Sequence, residues 1–371
     1  MKIFGFDQFH VLSKSARKAD VFGAMLIGAA LGLRLLFAQE DFSYDYSAYI
    51  YYFELLSDYS FLDVMEHVVD LFPYVLLPRA PVFEFGFVLV AKAIQQMVVT
   101  PAATYAALGA ISLGCRAYVM RKFGCSWLWI VLSQLYAITL LEANAIRVGM
   151  AATMVLYGLY YLMAGRARLG WAVLFLSFAI HLQAVLFVLP FAAVWPLRKK
   201  LERSRAASLA LVCLMAVMII GVMSTGLLAG HEKLSDYTVK ESSSSGLSII
   251  SASAALFLVY ALFVQPNRRV VSHEAESRLM WMSVCMAIVP SVVLYTAVTS
   301  IAVIGDRAWQ FSYVMLVSLI YTNWISKKSK VKAATALAAL AILSTINVTL
   351  RYPLSNLFDF VLPHVEIEAP I

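Results

Sequence analysis

The sequence predicts an all-α, polytopic membrane protein. Of its 371 residues, 62% are hydrophobic and only 14% charged. Mean hydropathy is +0.79, too apolar for a soluble domain of this length. Several runs of 17 to 23 residues carry few charges, close to the ~20 that cross a bilayer core as a helix.

Taken in order, residues 1–20 (MKIFGFDQFHVLSKSARKAD) have no apolar core and no small-residue cleavage site, so they read as a cytoplasmic head rather than a cleaved signal peptide. Spans are expected at 21–39, 103–120, 127–143, 145–164, 206–228, 247–265, 279–299, 308–325 and 333–350. The stretch 169–197 is long for one span and short for two, and AIHLQ interrupts it. Basic loops flank it on both sides (GRARLG and PLRKKLERSR), so it should enter and return as a tight hairpin with His181 near the outer turn. With Arg121 and Lys122 inside, 84–99 cannot be an ordinary span and reads as an interfacial or re-entrant helix. The scheme has 11 crossings within a membrane domain over 21–350, an inner N-terminus, outer loops at 40–82 and 229–246, and an outer tail at 351–371.

The net charge of +7 does not point to nucleic acid, because the basic residues sit in short loops between spans. The proposed cytoplasmic segments hold most of the 29 Lys and Arg, but only Asp7, Asp20, Glu202, Glu274 and Glu276 among the acids. That bias is a topology signal. Cys115, Cys125, Cys213 and Cys285 lie in or beside spans, with neither metal-ligand spacing nor a disulfide framework.

The outer segment 40–82 stands apart, with eight acids and seven tyrosines. Short surface helices are expected there, with Asp45, Tyr49 and Tyr52 sharing one face at i, i+4, i+7. Two readings stay open: a solvated acidic loop with an interfacial aromatic belt, or a carboxylate and aromatic platform for a sugar.

Four ionisable residues fall at one predicted depth near the outer leaflet: Arg34, Arg147, His181 and Arg307, with Asp45 and Glu84 flanking them. Each has a plain alternative. Arg34 could snorkel, Arg147 could pair with Glu142, His181 could be a hydrogen-bonded turn residue, and Arg307 could pair with Asp306. Lys92 and Arg116 lie nearer the inner boundaries and read as snorkelling residues. Three arginines on the side that positive loops avoid suit a diphosphate, since a guanidinium binds phosphate through a planar fork and keeps its charge. The small residues Gly149, Ala151 and Ala152 after Arg147 favour close helix packing.

These motifs resemble the EpsG-like, Wzy-type polysaccharide (O-antigen) polymerase family. LGLRLLFAQEDFSYDYSAYIYYFE resembles its opening pattern, giving Arg34, Asp45 and Tyr49, with Asp41 a rival for Asp45. FEFGFVLVAKAI is similar to its E-x-G-[FY] helix, giving Glu84, Gly86 and Phe87. NAIRVGMAATMVLYGLYYL resembles its N-x-[IV]-R-Q-G segment, giving Asn144, Arg147, Gly149 and Ala151. LSFAIHLQAVLFVLP resembles its His turn, giving His181 and Ala184, and GDRAWQFSYVMLVSLI its late arginine-aromatic segment, giving Arg307 and Tyr313. Two positions depart from the pattern: Val148 stands where glutamine is usual, and Gln183 where serine or threonine is usual.

The resemblance implies a GT-C-like glycosyltransferase that joins undecaprenyl-diphosphate-linked oligosaccharide repeats at the periplasmic face of a bacterial inner membrane. His181 or Asp45 would act as base, and Arg147 and Arg307, with Arg34, would stabilise the departing diphosphate. Tyr49, Glu84, Asn144 and Tyr313 would line the substrate site. No cofactor is required, though Mg²⁺ held by Asp45 and phosphate stays open. Expected partners are the lipid-linked donor and acceptor and the membrane, with room for a chain-length regulator protein. The rival functions are an O-antigen ligase and a flippase for lipid-linked sugars. A transporter should have a polar path through the membrane interior, whereas these ionisable groups gather at one surface.

Overall fold

The structure is a computed structural model and describes residues 18–36, 46–68, 74, 75, 77, 83–123, 125–142 and 145–197, together with Phe311 and Val314. The spans expected at 206–228, 247–265, 279–299 and 333–350 lie outside the described residues, as do the loop 229–246, the tail 351–371 and almost all of 308–325.

The described chain is mostly helical. It runs α1 (Lys18–Leu35), α2 (Tyr46–Ser57), α3 (Phe61–Glu66), β1 (Tyr74–Val75), β2 (Phe83–Glu84), α4 (Phe85–Gln95), α5 (Pro101–Lys122), α6 (Trp127–Ala137), a π-helical turn (Ile138–Glu142), α7 (Ile146–Met163), α8 (Ala167–Ile180), a 3₁₀ turn (Leu182–Ala184), α9 (Val185–Val194) and a last 3₁₀ turn (Trp195–Leu197). Local chemistry sets several starts. Ser60 and Asp63 form a capping box at α3, with Ser60 N donating to Asp63 Oδ2 at 2.7 Å and Asp63 N to Ser60 Oγ at 3.2 Å. Thr100 Oγ1 accepts from Ala103 N at 3.1 Å, and Pro101 opens α5.

Small residues bring α1 and α5 together as an antiparallel pair. A β-carbon on Gly28 would sit 2.5 Å from Ala110 O, and one on Gly32 would run into Ala110. Gly28 and Gly32 are thus a G-x-x-x-G face that lets two backbones touch. At the other end of the pair, Arg121 Nε donates to Asp20 Oδ1 at 3.0 Å. Helices α7 and α8 turn about Gly165, whose φ of +76° suits a residue without a β-carbon. Gly158 of α7 then packs under Leu174 and Gly170 of α8.

The stretch 169–197 does reverse. Its break falls at His181, and Trp171 near the start of α8 meets Phe191 and Trp195 at the far end, each at 5.8 Å between ring centroids. The stretch 84–99 forms the 11-residue α4, about 16 Å long at 1.5 Å per residue, too short to cross. Among the described residues no helix is long and apolar enough to cross a membrane. Of the described span windows only 127–143 is divided, whereas 103–120 and 145–164 stay unbroken as α5 and α7. The window 127–143 becomes α6 and a π turn, and the window 103–120 becomes an α5 rich in Ala, Gly and Ser and carrying Arg116.

The tiny ladder β1–β2 is absent from the all-α expectation. It pairs Tyr74 with Glu84 and Val75 with Phe83, antiparallel, and so fixes the backbone of Glu84 where α4 begins. Gly86 then lets α4 approach α8, because a β-carbon there would lie 2.7 Å from Ala179 O. Gly86→Ala is expected to force these backbones apart and destabilise the fold by about 1–3 kcal/mol. Thermal unfolding in detergent reads this, and an unchanged midpoint would show that the contact is not tight.

Candidate functional site

Three helix ends meet at Glu84, and Tyr49 joins them through Arg147. The α7–α8 hairpin is antiparallel, so Arg147 in the first turn of α7 lies beside His181 at the end of α8. Glu84, at the start of α4, reaches both. Arg147 Nη1 donates to Glu84 Oε2 at 2.5 Å, and His181 Nδ1 lies 2.9 Å from Glu84 Oε1. The backbone N–H of Leu182 also donates to Oε1 at 3.3 Å. On its other edge Arg147 Nε donates to the Tyr49 hydroxyl at 3.1 Å, and its guanidinium lies over the Phe83 ring at 4.2 Å. The fork is therefore held by a carboxylate, a phenol and an aromatic face. Among the described residues nothing bonds to Nη2.

The electrostatics follow from burial. Glu84 is 3% exposed and lies outside the predicted spans. Burial opposes its ionisation, but the Arg147 guanidinium and then His181 outweigh it and hold the carboxyl well below the usual range. An ionised carboxylate only accepts hydrogen bonds, so His181 presents Nδ1–H to it. In the neutral ring that leaves the lone pair on Nε2, the atom a general base needs. Nε2 lies 3.2 Å from the Gln183 side-chain amide oxygen as placed, and turning that amide over presents its NH₂ instead.

Of the residues singled out in the sequence, the structure brings together Arg147, His181, Glu84 and Tyr49. Arg34 sits in the last turn of α1, half-buried, and is not among the partners of Glu84. Asp45, Asn144, Arg307 and Tyr313 lie outside the described residues. Phe311 and Val314, close after Arg307, are buried in the same hydrophobic core as α2, α4 and α7. Among the described residues no group of three or more His, Cys, Asp or Glu is arranged to hold a metal ion.

Several readings change. The Arg147–Glu142 pair does not form. Glu142 is taken by Arg116, which is buried and ion-paired rather than snorkelling. Lys92 does not snorkel either: buried in α4, its Nζ donates to Leu56 O at 2.8 Å and Ser57 O at 3.4 Å at the end of α2, where carbonyls lack intrahelical partners. Tyr49 and Tyr52 are 2% and 0% exposed, stacked among Phe83, Phe87 and Tyr105, so these rings form core rather than a sugar platform. Tyr49 and Glu84, expected to line the substrate site, both hydrogen-bond to Arg147. Phe83 and the His181–Gln183 contact were not anticipated. The one available signal for the latter was the departure at Gln183 itself.

A guanidinium, a carboxylate and an imidazole gathered at buried helix ends make a candidate acid–base centre in a largely helical chain. The family follows from the whole sequence: the EpsG family model matches residues 26–362, and the chain belongs to that family. It is accordingly a membrane protein of polysaccharide biosynthesis, of a polymerase-like family. No curated protein and no solved structure matches the chain.

Proposed function

We propose that this protein joins undecaprenyl-diphosphate-linked oligosaccharide repeats at the periplasmic face of a bacterial inner membrane, as an O-antigen or related polysaccharide polymerase crossing the bilayer 11 times. The observation that carries the reading is the Arg147–Glu84–His181 chain: a permanent cation fork and an oriented base, held together by one buried carboxylate. Apolar side chains turned outward, such as Phe22 (63% exposed), Leu128 (70%) and Leu176 (57%), suit a lipid surround.

In this mechanism a hydroxyl of one lipid-linked repeat attacks the anomeric carbon of the growing glycan. The new C–O bond forms as the bond to the lipid diphosphate breaks. His181 Nε2 takes the hydroxyl proton, with Asp45 the other candidate base. Arg147, joined by Arg307 and Arg34, neutralises the diphosphate as it leaves. Because Nη1 and Nε are already engaged, Arg147 meets phosphate through its remaining N–H groups without having to be ordered first.

Purified protein in detergent, given undecaprenyl-diphosphate-linked repeats, should yield glycans of many repeats and free lipid diphosphate. In cells, loss of a polymerase leaves single repeats on lipid A, whereas loss of a ligase leaves none. Absence of turnover by intact protein, or a null strain with bare lipid A core, would overturn the assignment.

A further inference from the structure

We propose that Arg116 and Glu142 are positioning residues for Arg147, a role that rests on the polymerase reading above. The two sit in apolar stretches and are among the most enclosed charges in the described chain, at 2% and 0% exposed. Every nitrogen of Arg116 is used. Nη2 pairs with Glu142 Oε1 and donates to Ser112 Oγ at 3.2 Å and to Gly149 O at 3.1 Å. Nη1 donates to Glu142 Oε2 at 3.3 Å and Gln134 Oε1 at 3.2 Å, and Nε donates to Thr153 Oγ1 at 3.1 Å. Ser112 Oγ donates to Glu142 Oε1 at 2.8 Å, and Tyr105 OH donates to the Glu142 carbonyl at 2.6 Å.

These bonds bracket Arg147. Glu142 closes the π-helical turn before it, and Gly149 lies two residues after it. Among the described residues the start of α7 has no side-chain cap, since its N-cap Ala145 offers no side-chain hydrogen bond. A π turn opens a helix in a way the backbone does not favour unaided, and such turns recur at functional sites. Arg116 thus ties α5 to both sides of the break and fixes where the Arg147 fork points. Gly149 is required by the same cluster, because a β-carbon there would lie 2.5 Å from Glu142 Oε1. Stability alone does not account for the pair, since buried ion pairs are often replaceable by apolar residues without loss.

That last point supplies the test. In the double variant Arg116→Met/Glu142→Leu no charge is stranded, and Ser112 Oγ, which loses both partners, can turn to a carbonyl one turn back in α5. Thr153 keeps its bond to Gly149 O at 2.8 Å, and Gln134 keeps its bond to Leu113 O at 3.3 Å. The double variant should melt like the wild type while kcat for lipid-linked repeats falls about 10- to 100-fold. KM should stay within about twofold. Wild-type kcat at wild-type melting temperature overturns the proposal, as does a rise in KM alone. If the double variant fails to reach the membrane, Tyr105→Phe decides by the same split, because it removes only the hydroxyl and keeps the ring. It should lower kcat about tenfold, and an unchanged kcat overturns the role. Intact wild type without turnover removes the polymerase reading and this role with it, an outcome separate from an active wild type with a fully active double variant.

Discussion

Arg147→Ala is expected to reach the membrane at normal levels and yet make no long glycan, leaving single repeats on lipid A. The variant is destabilised, because Glu84 loses its main counter-charge, but it still folds with His181 Nδ1 at 2.9 Å and the Leu182 amide at 3.3 Å on the carboxylate. What disappears is the permanent positive charge at the start of α7. Removing one preorganised donor to a developing anion lowers kcat by about 10²- to 10³-fold, and a departing diphosphate is such an anion. Arg147→Lys should rescue poorly. An ammonium keeps the charge but not the planar fork that serves Tyr49, Glu84 and a phosphate at once. Immunoblots of membranes with gel profiles of glycan length measure both halves. Alanine variants with wild-type ladders would remove the diphosphate role.

Glu84→Gln should do more damage, to stability as well as activity. It leaves the buried Arg147 guanidinium without its counter-charge, a change that destabilises by about 3–5 kcal/mol when one partner of a buried pair is lost. It also offers a single acceptor where Arg147, His181 and Leu182 now share two carboxylate oxygens. The pH dependence follows from the same carboxyl, whose native pKa is depressed. A group with a lowered native pKa contributes stability that is full above its unfolded value, about 4.3 for Glu, and is lost as pH falls toward the native one. Wild type should therefore hold its melting temperature from neutral pH down to about 5 and lose it below, whereas the Gln variant starts lower and lacks that part of the acid limb. Melting curves in detergent across pH settle it. A Gln variant that melts and polymerises like the wild type would show that the carboxylate holds nothing essential.

Much of the site was legible as residue types and little of it as partners. Arg147, His181, Glu84 and Tyr49 each stand out, as ionisable or aromatic residues in apolar surroundings or at motif positions. Their pairing does not. Arg147 has Glu142 five residues upstream, and proximity in sequence favours that pair, yet its partner is 63 residues away. Glu142 is instead claimed across 26 residues by Arg116. The tyrosine face of α2 was legible as a stripe, but a stripe at helical spacing is the same for a binding platform and for a core. Only the neighbours Phe83, Phe87 and Tyr105 decide in favour of core.

Apolar runs, loop charges and motif order are local properties of the chain, and they suffice for the helical class, the break at His181, the short helix after Glu84 and the family. The tertiary structure alone decided which charge meets which. That choice depends on backbones brought within touching distance at Gly86 and Gly149, and on a two-residue ladder that sets Glu84 in place. Buried charges must find partners or leave the interior, and the partner they find is the one that long-range packing delivers.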